Sequence, residues 1–231
     1  MSPLSSAQQA VLRSGAWFAS LSPALQAELF DLANRVPVAQ GLRLFARGDA
    51  PDGLYGVLSG AMRITAVSAQ GKEAILALVE PPQWFGEIAL FDGQARTHDA
   101  WAEADTELVH LSQDALHALL ARQPTLWPHF GRLLTHKMRL LMGIVEDTAL
   151  QPPATRLARR LLAMLDSHGE LNTPSGGTLL RLPQEQLGMM LSLSRQTVNQ
   201  ILRQFEREGA LRLHRGGIEV ADLAVLRRLA D

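Results

Sequence analysis

Five hydrogen-bonding side chains lie close together in the C-terminal part of the chain, and their types match those that read DNA bases. They are Arg195, Gln196, Asn199, Gln200 and Arg203. Because a helix turns by about 100° per residue, all five fall on one helical face. Arginine forms bidentate hydrogen bonds with guanine, and asparagine or glutamine does so with adenine. Ser194 suits the N-cap that precedes such a helix, so the pattern predicts a DNA-binding face made of Ser194 and these five residues.

The helix that carries this face is the second of two short amphipathic helices predicted within Leu182 to Arg207. Apolar residues recur at intervals of three and four in both, at Leu187, Met190 and Leu191, then at Val198, Ile201, Leu202 and Phe205. Two such helices joined by a tight turn predict a helix-turn-helix, whose second helix enters the major groove. The alternative is an ordinary surface helix, although Glu and Lys usually dominate the polar face of those.

A wing is predicted after the second helix. Residues 210–220 form two short apolar runs joined at Gly216 and Gly217, and 221–230 have the pattern of a closing helix. Three basic side chains near the wing tip either contact phosphates or are solvated, and the sequence does not choose between these. They are Arg212, His214 and Arg215.

Composition restricts the class of protein. The chain has 231 residues, of which 47% are apolar and 19% charged, so it is long enough for two globular domains. It contains no cysteine, which excludes disulfides, thiolate zinc sites and cysteine-ligated iron–sulfur clusters. Residues 151–231 hold 11 arginines and 8 acidic residues, which suits a domain that faces phosphates. The sequence has neither a secretory signal nor an apolar run of membrane length, so we expect a cytoplasmic protein without membrane contact.

The remaining periodicity divides the chain into three parts. Helical spacing occupies 5–35, with a helix start at Ser22 and Pro23, and strand-and-turn patterns follow to about Leu111. The stretch from Leu126 to Leu150 is apolar nearly all round, which indicates a helix buried on two faces, against its own domain and against a second copy. A helix buried within one monomer is the alternative. Pro152 and Pro153 place a hinge after it. The predicted domains are 1–125, 126–150 and 151–231.

Three segments resemble the superfamily of the cyclic AMP receptor protein and the fumarate and nitrate reduction regulator. They are LFARGDAPDGLYGVLSGAMRI (44–64), FGEIALFDGQARTHDAWA (85–102) and SRQTVNQ (194–200). The resemblance implies an α+β protein with an N-terminal β-roll of the cyclic-nucleotide-binding type, a long dimerisation helix and a C-terminal winged helix-turn-helix. It also implies a homodimeric, non-enzymatic transcription regulator that binds palindromic double-stranded DNA and acts with RNA polymerase.

The same resemblance implies an effector site in the second segment. Its residues would be Gly86, Glu87, Ile88, Ala89, Arg96 and Thr97, with Glu87 on the ribose hydroxyl and Arg96 on the cyclic phosphate. Two features depart from the nucleotide binders. His98 and Asp99 stand where small or neutral residues are usual, and Leu141 and Met142 stand where hydroxyls read the adenine. The effector is therefore left open between a cyclic nucleotide, another small ligand and none; with none, we expect Arg96 to pair with Glu87 or Asp99.

The spacing of the histidines does not indicate a metal centre or an enzyme. His129 and His136 are seven residues apart, and this spacing does not form a chelate on one helix as a spacing of four does. No nucleophile elbow, phosphate loop or paired-carboxylate motif accompanies them, so an enzyme is not predicted. Two alternatives stay open: a haem-containing gas sensor of the same fold, and a cyclic-nucleotide-type sensor that acts through protein partners.

Overall fold

The computed structural model describes residues 3–167, 178–180, 183–215 and 217–231. Leu182 and Gly216, which belong to the predicted helix-turn-helix and wing, lie outside the described residues. The chain divides into two compact units. One comprises Met1–Ser68 and Leu76–Leu141, and the other comprises Ala69–Ile75 and Met142–Asp231.

Three short helices open the first unit: α1 (Ser6–Ser14), α2 (Ala16–Ala19) and α3 (Pro23–Asp31). Ser5 and Gln8 form a capping box that satisfies free backbone donors at the start of α1. Ser22 accepts from the backbone N–H of Leu25 at 3.2 Å, with Pro23 as the first residue of α3. The predicted helix start at Ser22 and Pro23 is confirmed.

Eight strands form the β-roll. They are β1 (Asn34–Val38), β2 (Arg43–Phe45), β3 (Gly53–Ser59), β4 (Met62–Val67), β5 (Glu73–Val79), β6 (Trp84–Phe85), β7 (Asp99–Ala102) and β8 (Thr106–Ser112). Two four-stranded sheets result, in the orders β1-β8-β3-β6 and β2-β7-β4-β5. Val57, Met62, Phe85 and Leu108 from both sheets are packed into one core, as expected where inward residues alternate with outward ones. The predicted antiparallel roll is confirmed.

Helices cover the outer face of the first sheet. After the short α4 (Ile88–Asp92), α5 (Gln113–Arg122) and a 3-10 turn (Pro124–Leu126) lead into the long α6 (Trp127–Leu150). Phe18, Leu116 and Phe130 of these helices pack into one core with Leu54 of β3 and Val109 of β8. The Trp17 indole N–H donates to the backbone carbonyl of His129 at 2.8 Å. The N-terminal helices and the first turns of α6 are therefore held together.

The second unit contains α7 (Pro153–Ser167), β9 (Thr178–Leu180), α8 (Gln184–Leu191), α9 (Arg195–Arg207), β10 (Leu211–His214), β11 (Gly217–Val220) and α10 (Leu223–Leu229). The three strands form an antiparallel sheet in the order β10-β11-β9. Strand β9 was not predicted, so the wing sheet has one strand more than the sequence indicated. Leu187 of α8 and Val198, Leu202 and Phe205 of α9 are buried, which confirms the predicted apolar faces.

The turn between α8 and α9 is tight because of two backbone features. A Cβ on Gly188 would lie 2.9 Å from the carbonyl oxygen of Leu193, so only glycine permits this approach. Ser192 has a φ of 56°, the left-handed conformation that ends α8. The turn thereby brings Ser194 to the start of α9.

Candidate nucleic-acid interface and effector site

The N-terminus of α9 is built by Ser194. Its Oγ accepts from the backbone N–H of Thr197 at 3.0 Å and lies 2.8 Å from the Thr197 hydroxyl. The predicted cap is confirmed, and Arg195 is the first helical residue. The remaining free N–H groups at this end favour an anion such as a DNA phosphate.

The polar face of α9 is open to solvent. Arg195, Gln196, Gln200 and Arg203 are exposed and Asn199 is half-buried. All except Arg203 line a surface groove, which they share with Gln184 from the first residue of α8. The groove therefore presents guanidinium and amide groups together, the chemistry that recognises base edges.

Gln184 is a groove residue that sequence reasoning missed. Its Oε1 accepts a hydrogen bond of 2.9 Å from Nδ2 of Asn199, fifteen positions along the chain. This bond fixes the orientation of the Asn199 amide, with Oδ1 as its acceptor atom and one Nδ2 hydrogen left to donate. Asn199 thus offers one acceptor and one donor side by side in the groove.

The three basic residues near the wing tip are exposed, as the solvated alternative predicts. Arg212 Nη1 lies 3.2 Å and His214 Nε2 lies 2.7 Å from the carboxylate of Glu219, whose side chain is buried. Arg212 and His214, whose side chains are 61% and 50% exposed, therefore remain in contact with solvent while they also contact an acidic side chain that the sequence did not indicate. Arg215 is exposed.

In the β-roll, Arg96 is buried, with only 4% of the residue exposed. Its Nη2 pairs with Asp52 and donates to the carbonyl of Gly53 at 2.7 Å, and its Nη1 donates to the carbonyl of Gly86 at 3.1 Å. Gly86 has a φ of 93°, and a Cβ there would come within 2.8 Å of Arg96 Nη1. Glycine is needed at this position because it lets the backbone approach the guanidinium.

Glu87 is also buried and paired. Its carboxylate accepts a hydrogen bond of 2.6 Å from Lys137 Nζ on α6. The expectation that Arg96, without a ligand, pairs with Glu87 or Asp99 is therefore wrong. Asp52 takes that role, and Asp99 instead accepts from the backbone N–H of Arg47 at 2.6 Å.

The other residues of the predicted effector set are arranged around α4 and the start of β7. Ala89 is buried, Ile88 is exposed, and the exposed Thr97 hydroxyl lies 2.9 Å from Nδ1 of His98. Burial, together with the charge of Arg47, lowers the pKa of His98. His98 is therefore neutral at pH 7 and supplies no positive charge to an anion.

In this structure the terminal nitrogens of Arg96 are directed at three protein oxygens. Its Nε is buried and has no hydrogen-bond partner among the described residues, so this donor is available to an anion. Glu87 is directed at Lys137 rather than at a ribose.

Within the part of the chain that is described, no three His, Asp or Glu side chains cluster closely enough to hold a metal ion. Among the same residues, no helix is both long and apolar enough to cross a bilayer.

Two protein-family models match two separate parts of the chain. Residues 35–123 match the cyclic nucleotide-binding domain family, and residues 155–229 match the Crp-like helix-turn-helix domain family. The cyclic AMP receptor protein of Thermus thermophilus is 31% identical over 191 residues, covering 83% of this chain and 85% of that protein. A CRP-like cAMP-activated global transcriptional regulator of Mycobacterium tuberculosis is 29% identical, covering 92% and 95% respectively.

Solved structures show the same architecture. A transcriptional regulator of the CRP/FNR family from Thermus thermophilus superposes with a TM-score of 0.70 at 29% identity, covering 85% of this chain and 98% of that one. FixK2 from Bradyrhizobium japonicum shares the fold with a TM-score of 0.77 at 19% identity, over 86% and 98% of the two chains.

A β-roll, a long helix and a winged helix-turn-helix in one chain define a class of DNA-binding transcription regulator with a ligand-binding type of sensor domain. The chain belongs to the CRP/FNR family of that class. The predicted fold and the predicted regulatory, non-enzymatic function are confirmed, since the matching relatives are transcription regulators.

Proposed function

We propose that the chain works as a homodimer that binds a two-fold symmetric site in double-stranded DNA. The carrying observation is the solvent-open groove of guanidinium and amide groups at the capped start of α9. The test is whether the protein selects one symmetric sequence from random duplexes. As a transcription regulator it acts on the chromosome, so we place it in the cytoplasm, with RNA polymerase as its further partner.

Each side chain of the groove receives a role from its chemistry. Arg195 forms a bidentate contact with a guanine, because it lies in the first turn of α9, the part of the helix that enters the major groove most deeply. Asn199 takes an adenine, and Gln196 and Gln200 contact neighbouring bases. Arg203 lies two turns further along α9 and takes a second base or a phosphate. The Ser194 hydroxyl serves the cap, so Ser194 meets the DNA through a phosphate at the helix N-terminus.

Gln184→Ala is expected to relax the preference for one base per half-site without abolishing DNA binding. The Asn199 amide then loses the bond that orients it and can turn over to offer other bases. We expect a loss of discrimination of about 1 kcal/mol, the worth of one neutral hydrogen bond. The measurement is competition between the preferred duplex and duplexes changed at single positions.

Gln204→Ala is the matched control, because Gln204 is an exposed amide on the same helix whose Nε2 donates to the Glu208 carboxylate. It should leave the base preferences unchanged. If Gln184→Ala also leaves every preference intact, or lowers affinity equally for all sequences, Gln184 does not orient Asn199.

Dimerisation is supported by the distal part of α6. Its buried side chains are Phe130 and Leu133, whereas a run of large apolar side chains beyond them is exposed in the single chain. These are Met138, Leu140, Leu141, Met142, Ile144, Val145 and Leu150, with exposures between 44% and 70%. A contiguous apolar surface on a long helix is typical of an interface between subunits. Two copies joined along α6 would present their α9 helices to the two halves of one symmetric site.

The three-part division at 125 and 150 stays a prediction. In the dimer we propose, 126–150 contributes the subunit interface, and the flanking parts carry the roll and the DNA-binding domain.

A further inference from the structure

The end of α6, residues 142–150, packs weakly against the rest of the chain. Of these residues, all of which the structure describes, only Asp147 is partly shielded from solvent, with 26% of its side chain exposed. The apolar side chains of Ile144, Val145 and Leu150 are between 44% and 70% exposed in the single chain. Apolar packing within the chain therefore contributes little to the direction of this end of α6.

The backbone at the junction between α6 and α7 does not fix that direction either. Pro152 and Pro153 have no N–H group, so neither can donate a helical hydrogen bond. On one side of them, the N–H of Gln151 donates to the carbonyl of Asp147 at 2.9 Å and closes α6. On the other side, the N–H of Arg156 donates to the carbonyl of Pro152 at 3.1 Å and opens α7. The angle between the two helices is therefore left to their side chains.

Arg159 of α7 supplies the side-chain contact. Its Nη1 pairs with the Asp147 carboxylate on α6, and its Nε donates to the backbone carbonyl of Ala230 at 2.7 Å. Ala230 follows α10 and is 7% exposed, and Leu157 and Leu161 anchor α7 by their full burial. One guanidinium thus ties the end of α6 to α7 and to the end of α10.

The Asp147–Arg159 pair differs from an ordinary surface ion pair. Surface pairs contribute little, because solvent screens them and both long side chains must be ordered. Here the two side chains are only 26% and 36% exposed, and the bond to Ala230 already holds the guanidinium. A carboxylate in the last turn of a helix is unfavourable toward the helix dipole, so α6 by itself gains nothing from Asp147. The favourable role of this carboxylate is its pairing with Arg159.

We propose that Arg159 is a positioning residue: through Asp147 it holds the winged helix-turn-helix at a fixed angle to α6, and it thereby sets the half-site spacing that the protein accepts. Helix α9 belongs to the same compact unit as both charged residues, so its direction relative to the end of α6 depends on their pairing. In a dimer joined along α6, that direction determines how far apart the two α9 helices lie. The statement on spacing rests on the proposed function; the fixed angle does not.

Distances between two spin labels measure this angle in the full-length protein without DNA. The chain has no cysteine, so Ala149→Cys on α6 and Gln204→Cys on α9, both at exposed positions, provide the only two thiols per chain. Dilution with unlabelled protein restricts the measurement to one chain. We expect a narrow distance distribution, and one about twice as wide after Asp147→Ala. Alanine is the best helix former, so this variant should keep α6 intact.

Glu146→Ala is the matched control, because it removes the same charge from the neighbouring, exposed position of α6. It should leave the distribution narrow. Arg159→Gln is a second variant, whose amide can still donate to the carbonyl of Ala230 but cannot form an ion pair with Asp147. It should widen the distribution as Asp147→Ala does. Combining the two should widen it no further, because both remove the same pair.

Duplexes in which the two halves of the selected site are moved by one or two base pairs measure the spacing preference. A change of two base pairs turns one half-site by about 70° around the duplex axis, so the unchanged protein and Glu146→Ala should lose about tenfold or more in affinity. Asp147→Ala should lose about threefold or less, with the same base preferences within each half-site. A purely structural role would instead weaken binding to all duplexes alike.

A distance distribution that stays narrow in both Asp147→Ala and Arg159→Gln would overturn the proposal. If the distribution widens but the spacing preference stays as sharp as in the unchanged protein, the pair does not set the spacing. An unchanged protein that selects no symmetric site contradicts the proposed function instead, and the label distances then still decide whether Arg159 fixes the angle.

Discussion

Leu141→Asp is expected to convert the protein from a dimer into a monomer. Leu141 is 51% exposed in the single chain and lies among the apolar side chains of distal α6. At a subunit interface the new carboxylate would be buried without a partner, which costs several kcal/mol. Sedimentation velocity measures the change directly. DNA affinity should fall with it, because a monomer reaches only one half-site.

Leu141→Met is the matched control for the dimer prediction. It keeps an uncharged apolar side chain of similar volume at the same position of α6, so this variant should remain dimeric. If Leu141→Asp still sediments as a dimer, the interface lies elsewhere.

Arg195→Ala is expected to remove most of the sequence-specific DNA affinity. The side chain is exposed at the first position of α9, and a bidentate contact to guanine contributes about 1–3 kcal/mol of discrimination. A symmetric dimer loses this contact twice, so the effect on the ratio of specific to non-specific affinity is compounded. Titration of the selected duplex and of an unrelated duplex, at one salt concentration, gives that ratio.

Arg207→Ala separates base reading from general charge. Arg207 is an exposed arginine in the last turn of α9, and its Nε donates to the carbonyl of Arg203. Its removal takes away the same charge, so it should weaken binding to both duplexes alike. Equal behaviour of the two variants would show that Arg195 contacts phosphate and not a base.

Local sequence signals were sufficient for the elements that position the DNA-binding groove. Ser194 marks the start of α9 because capping depends on residues within one turn, and Val198 and Phe205 mark its buried face by their spacing. The strands of the roll and the long α6 were equally predictable, since turn residues and apolar periodicity are local properties. Strand β9 was missed because its short run acquires strand structure only by pairing with β11.

The partners of the charged and amide groups could not be predicted in the same way. Asp52 and Arg96 are 44 residues apart, and Glu87 and Lys137 are 50 apart, so only the closed fold brings them together. Gln184 meets Asn199 across a turn whose geometry depends on Gly188. Arginines and carboxylates at such separations have many candidate partners, and the choice among them is made by packing.

Selection of bound duplexes from a random library tests most directly whether this chain is a dimeric, sequence-reading regulator. Two half-sites related by a dyad and separated by one helical turn, about 10 base pairs, are the predicted result, each with a guanine and an adenine at the positions facing Arg195 and Asn199. Recovery of an asymmetric sequence, or of duplexes with no shared motif, would contradict the account.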